Sequence, residues 1–267
     1  MKRIFYLFLI IILLSDFSFA GVSVIGGLTR EKVLLPGDKF EGKITLENTG
    51  ETSWQVDIYK SDYLFYADGT NIYGEPSSSD RSNASWLTLS PSRLTIHPKE
   101  KASVFYTVQV PKNLDLFGTY WSMVMIEPAS EVASENLEDK EGRVKVGVQT
   151  KVRYGIQIVT NIGDTGAKRI KFLDKKLINQ DGNTFFQIDV QNIGEMWLSP
   201  TLWVELYNQN GMIIGRFEGD KKRIYPTCSV RHKIDLTDIP KGKYKALVVV
   251  DNGDEHVFGA KYDLGIE

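Results

Sequence analysis

Apolar and polar residues alternate almost without a break from residue 143 to residue 161. Val144, Val146, Val148, Thr150, Val152, Tyr154, Ile156 and Ile158 share one face. Arg143, Lys145, Gln149, Lys151, Arg153 and Gln157 share the other. A period of two is that of a β-strand with one face on a core and one in water. These nineteen residues would reach about 60 Å fully extended, against roughly 17–20 Å for an ordinary strand. The stretch is therefore expected to bend at Gly147 or Gly155, or to leave its sheet and run on as a linker. It is predicted to end one domain and lead into the next.

Shorter alternating runs fill the rest of the chain, and few segments carry the period of a helix. Strands are predicted at 22–25, 32–35, 40–48, 54–59, 86–96, 103–110 and 119–126, with turn residues between them. Residues 66–85, rich in Gly, Ser, Asp and Asn, read as a long surface excursion, and 128–142 as an acidic loop. Past a linker signal at 162–166, the second half repeats the first in order. Ile44, Asn48, Gly50, Glu51 and Trp54 return as Ile188, Asn192, Gly194, Glu195 and Trp197. Ile96-His97-Pro98 returns as Ile224-Tyr225-Pro226, and Val110-Pro111-Lys112 as Ile239-Pro240-Lys241. Gly118-Thr119-Tyr120 returns as Gly242-Lys243-Tyr244. A repeat of domain size means two copies of one fold. Asn-x-Gly is expected to supply a positive φ at a hairpin turn. Gly-x-Tyr resembles the tyrosine corner of immunoglobulin folds. Trp54, Trp121, Trp197 and Trp203 are predicted to be core residues.

Composition narrows the setting. Lys2 and Arg3 precede an apolar run over residues 4–14 and the small-residue pattern Ser18-Phe19-Ala20. That is a secretory signal peptide, with cleavage predicted after Ala20 and a periplasmic or secreted product. No later apolar run approaches spanning length, so an integral membrane protein is not expected. The 32 basic and 34 acidic residues nearly balance at −2, which gives no case for nucleic acid as a partner. The single cysteine, Cys228, excludes an internal disulfide and reads as a small buried hydrophobe. His97, in a predicted turn, and His232 and His256, in predicted strands, lie at no metal-ligand spacing, and no nucleophile or phosphate-loop motif occurs. No cofactor, metal or catalytic residue is expected, and the chain is read as a non-enzyme.

The fold class predicted is all-β: a signal peptide at 1–20, then two tandem immunoglobulin-like β-sandwich domains at 21–162 and 167–267. The first domain resembles the N-terminal domain of the periplasmic pilus chaperones. The resemblance rests on Thr29-Arg30, Trp86-Leu87 with Leu94 and Pro98, Ile126-Glu127-Pro128, and the alternation Val144, Val146, Val148, Lys151, Val152, Arg153. It implies that the 144–153 strand adds to a pilin-like or envelope subunit, with Val144, Val146 and Val148 buried by that partner. It also implies that basic residues hold the subunit's terminal carboxylate. Arg153 matches the strand anchor and Lys151 is its neighbour. Arg30 matches the other anchor by its Thr-Arg context, or Lys32 by counting back from Pro36-Gly37. The family's Phe-Tyr-Arg-Pro is absent after Arg153, where Tyr154-Gly155-Ile156 stands. The first domain is also similar to the peptidoglycan-binding domain of WxL-interacting proteins, which implies a cell-envelope binding module with a cell-wall polymer as partner.

Overall fold

A computed structural model describes residues 21–129 and 152–267. The chain forms two β-sandwiches of immunoglobulin type in tandem. In the first, one sheet carries β1 (Val22–Ile25), β3 (Lys39–Asn48), β8 (Lys101–Gln109) and β6 (Leu87–Ser90), in the order β1-β3-β8-β6. The facing sheet runs β2 (Thr29–Leu34), β10 (Tyr154–Ile162), β9 (Gly118–Pro128), β4 (Trp54–Phe65) and β5 (Asn71–Gly74), with β7 (Arg93–Ile96) also on β4. Alternation decides which side chains meet between the sheets. Ile44, Leu46, Val104, Val124, Ile126, Ile156 and Ile158 close one core.

The second sandwich packs β11 (Ile170–Gln180), β12 (Asn183–Asn192) and β15 (Ser229–Asp235) against the sheet β14-β13-β16-β17. Those four strands are Ile213–Glu218, Thr201–Tyr207, Gly242–Asp251 and Val257–Ile266. Phe186, Ile188, Val190, Leu202, Val204 and Val248 form its core. Among the described residues no helix is long and apolar enough to cross a membrane.

The internal repeat has a physical basis different from the one expected. Gly50 and Gly194 are absent from the positive-φ positions. The shared device is the buried asparagine. Asn48 Nδ2 donates to the carbonyls of Thr52 (2.7 Å) and Ile96 (3.0 Å), and its Oδ1 accepts from the Gly50 amide at 2.9 Å. Asn192 does the same with Met196 (2.7 Å), Ile224 (3.0 Å) and the Gly194 amide (2.8 Å). Gly194 is required by close approach, because a Cβ there would meet the Ala167 carbonyl. The tyrosine corner forms in the second sandwich, where the Tyr244 hydroxyl donates to Pro240 O at 2.7 Å. Its counterpart Tyr120 packs instead on Trp86, ring centroids 4.7 Å apart.

Four further expectations are corrected. Residues 86–96 are two strands on opposite sheets, β6 on β8 and β7 on β4, because the chain crosses between sheets at Pro91 and Ser92. The 66–85 surface excursion is not all loop: Asn71–Gly74 form β5 on β4, and the rest is tethered. Asp62, 3% exposed, accepts from the amides of Ser77 (3.2 Å) and Ser79 (2.8 Å) and from two serine hydroxyls. Trp203 lies on the outer face of β13 with the Arg216 guanidinium 3.9 Å above its ring. His256 lies outside the strands. Cys228 is buried as expected.

Candidate functional site

β10 draws its strand character from β-branched residues in alternation. Ile156 and Ile158 face the first core, while Gly155, Gln157 and Val159 face outward. From Gln157 to Ile162 the strand is interior, antiparallel to β9 on one side and parallel to β2 on the other. Residues 154–156 differ. They pair with Ile126, Met125 and Val124 of β9, and among the described residues they have no partner on the β2 side. The strand begins at Tyr154, so Val152 and Arg153 precede it. Val144, Val146, Val148 and Lys151 lie outside the described residues.

Arg153 sits at the mouth of a cleft of about 430 Å³ on the outer face of this sheet. Tyr59, Tyr73, Met123, Met125 and Gly155 line it. A Cβ at residue 155 would collide with the Met123 methyl, so the glycine makes room for that side chain. The Arg153 guanidinium lies 3.6 Å from Glu127 Oε2 and 3.4 Å from the Tyr59 hydroxyl. The Tyr59 hydroxyl donates to the same Glu127 oxygen at 2.7 Å. Burial first, and then this bond, raise the Tyr59 pKa. The Arg153 side chain remains 57% exposed, so most of its donors face solvent.

Arg30 and Lys32 lie on one face of β2. Lys32 Nζ stands 4.9 Å from the Phe40 ring centroid, and Arg30 turns back to donate to Gly27 O. The register sets Arg30 opposite Ile158, five positions along β10 from Arg153. At about 3.3 Å per residue that is about 16 Å, so Arg30 and Arg153 are not brought together. Gln157 occupies the place beside Thr29. Its Oε1 accepts from the Thr29 hydroxyl (3.2 Å) and the Tyr225 hydroxyl (2.7 Å).

Glu31, on the opposite face of β2, was not singled out by the sequence reading, yet it ties the two sandwiches together. One carboxylate oxygen accepts from Asn161 Nδ2 at 2.8 Å and from Trp197 Nε1 at 2.9 Å. The other pairs with Arg223 at 3.2 Å. Arg223 also lies 3.9 Å over the Trp197 ring. Beside this seam Tyr225 stacks on Trp121, centroids 4.8 Å apart and planes at 13°, with Phe65 against its edge. The hairpin between β4 and β5 reaches across, and the Ala67 amide donates to Ser229 Oγ at 2.9 Å. The signal available in the sequence was a glutamate between two basic residues on an alternating strand, which sends Glu31 to the opposite face from Arg30 and Lys32. Glu31→Ala is expected to lower stability by about 1–3 kcal/mol, since it leaves partly buried donors of Trp197 and Asn161 without their acceptor. Urea unfolding at neutral pH measures it.

Among the described residues no group of three His, Cys, Asp or Glu side chains could hold a metal ion. His97 Nδ1 lies 3.1 Å from Ser53 Oγ, and His256 pairs with Asp254 at 3.1 Å. The geometry offers a half-open strand with a cation beside it, which suits binding of an extended polypeptide.

No known family and no curated protein matches the chain by sequence. Solved structures resemble it in fold over nearly its full length. One is a chain of a chaperone–tip adhesin complex of CFA/I fimbriae, at 12% identity and a TM-score of 0.48, covering 91% of this chain and 98% of that one. The class 5 fimbriae chaperone CfaA is 9% identical with a TM-score of 0.48, covering 90% and 98%. A chain of the CsuC–CsuE chaperone–tip adhesion subunit complex of Acinetobacter baumannii is 15% identical with a TM-score of 0.46, covering 89% and 97%.

Proposed function

We propose that this protein is a non-catalytic extracytoplasmic chaperone that binds a subunit of a surface fibre or of the envelope by strand addition along residues 144–153. The observation that carries the reading is the half-open start of β10, where 154–156 pair on the β9 side alone among the described residues. An unpaired strand flank offers backbone donors and acceptors to an incoming strand. The alternating Val144, Val146 and Val148 lead directly into that flank in sequence, and Arg153 stands beside it with most of its donors in solvent. In this reading the chain acts after export and cleavage at Ala20, and its two domains are 21–162 and 167–267.

The test uses the mature chain and subunits of its native envelope, with complexes scored by co-purification and size-exclusion chromatography. A buried valine contributes about 1.5–3 kcal/mol, so Val146→Asp is expected to weaken the complex at least tenfold while the melting temperature holds. Arg153→Ala is expected to lose a further charge-assisted contact, about 1.5–3 kcal/mol. If Val146→Asp unfolds the chain, Val146 belongs to a core and the reading fails. It fails equally if both variants bind as the parent does.

A further inference from the structure

His232 is the one buried side chain among the described residues whose polar atoms have no hydrogen-bond partner: it is 1% exposed, and both ring nitrogens are unpartnered. It lies on β15 opposite Ile188 of β12, in line with the core residue Ile234. The lid over the ring is residues 219–223, a strap without regular structure that leaves β14 and returns to the core at Ile224. Ahead of Arg223 the strap is held at two points. The Gly219 amide donates to Leu202 O at 2.8 Å, and Lys222 Nζ to Arg231 O at 2.5 Å. A Cβ on Gly219 would stand 3.6 Å from His232 Nδ1, so main chain covers the imidazole directly. The last residue of the strap is Arg223, whose guanidinium makes the Glu31 bridge and covers Trp197. The buried ring and the seam between the sandwiches are therefore joined by a single short segment.

We infer that protonation of His232 lifts the 219–223 strap and withdraws Arg223 from Glu31, so that the seam between the sandwiches is released by acid. An imidazolium needs water or an acceptor on each nitrogen. On its own sheet the ring is backed by a ladder, since β12 and β15 pair over seven positions. The strap, held by the Gly219 amide, the Lys222 ammonium and the Arg223–Glu31 bridge rather than by a ladder, is the side that can yield. The charged groups around the ring are Asp220 and Lys222 on the strap, and Asp189 on β12, which Arg231 of β15 already neutralises at 2.7 Å. The main chain at Asp220 approaches the ring without forming a hydrogen bond of good geometry. Burial, and then the Lys222 charge, hold the His232 pKa down at about 4, and attraction from Asp220 and Asp189 offsets only part of this. The sign follows from the depressed value. The neutral ring is preferred when folded, so the closed state is fully favoured above pH about 6.5 and loses that preference as pH falls toward about 4.

The test follows the Trp197 indole N–H, which donates to Glu31, by nitrogen-15 NMR of the mature chain between pH 7 and 4.5. Strap amides are followed by hydrogen exchange in the same samples. The five tryptophans give five indole signals, and Trp197→Phe assigns the one required. The expected result is that acid lowers protection of the Gly219 amide, the hydrogen-bonded amide of the strap, at least tenfold and shifts the Trp197 signal, while β13 and β16 stay protected. His232→Met and His232→Leu are each expected to abolish both responses. If either variant responds to acid as the parent does, His232 is not the trigger and the inference is overturned. If the Gly219 amide of the parent stays protected at pH 4.5, or exchanges only together with β13 and β16, it is overturned whatever the variants do.

Discussion

Tyr225→Ala is expected to lower the stability of the chain by about 3–5 kcal/mol, the range for removing a large buried aromatic side chain. Tyr225 is fully buried in the second core, into which Trp121 and Val159 of the first sandwich also reach. It belongs to the second sandwich but stacks on Trp121 of β9 and meets the edge of Phe65 on β4. Its hydroxyl donates to Gln157 on β10 at 2.7 Å, and burial pushes its pKa up to about 12, so it stays a donor at any ordinary pH. The loss is therefore twofold, a cavity in one sandwich and a missing stack against the other. Guanidinium unfolding of the parent is expected to show one transition, and that of the variant two, as the sandwiches lose their coupling. Tyr225→Phe keeps the ring and removes one hydrogen bond, for a loss of about 0.5–1.5 kcal/mol. A single unshifted transition for Tyr225→Ala would mean that the stack contributes nothing.

The second large effect is expected at the repeated asparagine. Asn192→Ala removes a side chain that is 0% exposed and satisfies the carbonyls of Met196 and Ile224 and the amide of Gly194. Each buried group left unpaired costs about 1–3 kcal/mol. Asn48→Ala leaves Thr52 O, Ile96 O and the Gly50 amide in the same position. The two variants are expected to destabilise by similar amounts, each through its own sandwich. Asn→Asp at either site should be as harmful, because a carboxylate has no N–H to give those carbonyls. A loss below 1 kcal/mol in urea unfolding would show that water takes over the bonds.

Much of the architecture was legible because alternation is written residue by residue. The strands at 40–48 and 119–126 needed only their own sequence, and the repeated Asn, Ile and Gly-x-Tyr pointed to two copies of one fold. The physical reasons were harder to read. Asn48 and Asn192 act through buried side chains, which no local turn rule shows. Residues 86–96 keep a period of two on each side of Pro91, and the crossing from one sheet to the other shows only as a change of phase, from Leu87 and Leu89 to Leu94 and Ile96. Trp203 belongs to an outward face that Arg216 happens to cover, and hydrophobicity alone does not distinguish that from a core. The candidate site was legible to the same degree. The alternation marked β10, and a basic residue beside it was visible. The pairing of β2 with β10 joins positions more than a hundred residues apart, and its register decides that Gln157, not Arg153, stands beside Thr29 and Arg30. Glu31 acquires its role only when the second sandwich arrives.

The parallel pairing of β2 with β10 also sets an order on assembly. β1 can find β3 within a few tens of residues, but β2 has no place in its sheet until residue 157 and those beyond it have been made. Closing so long a loop is entropically costly, and parallel, non-local pairing is slow to form. Val33 and Leu35, 64% and 60% exposed even in the finished fold, stay open to wrong partners throughout that wait. Glu31 lies on the same late strand and must then find Arg223 and Trp197, which are made later still. A segment synthesised near the beginning is thus among the last to be fixed, and a newly made chain stays vulnerable at that end until its second sandwich has been completed.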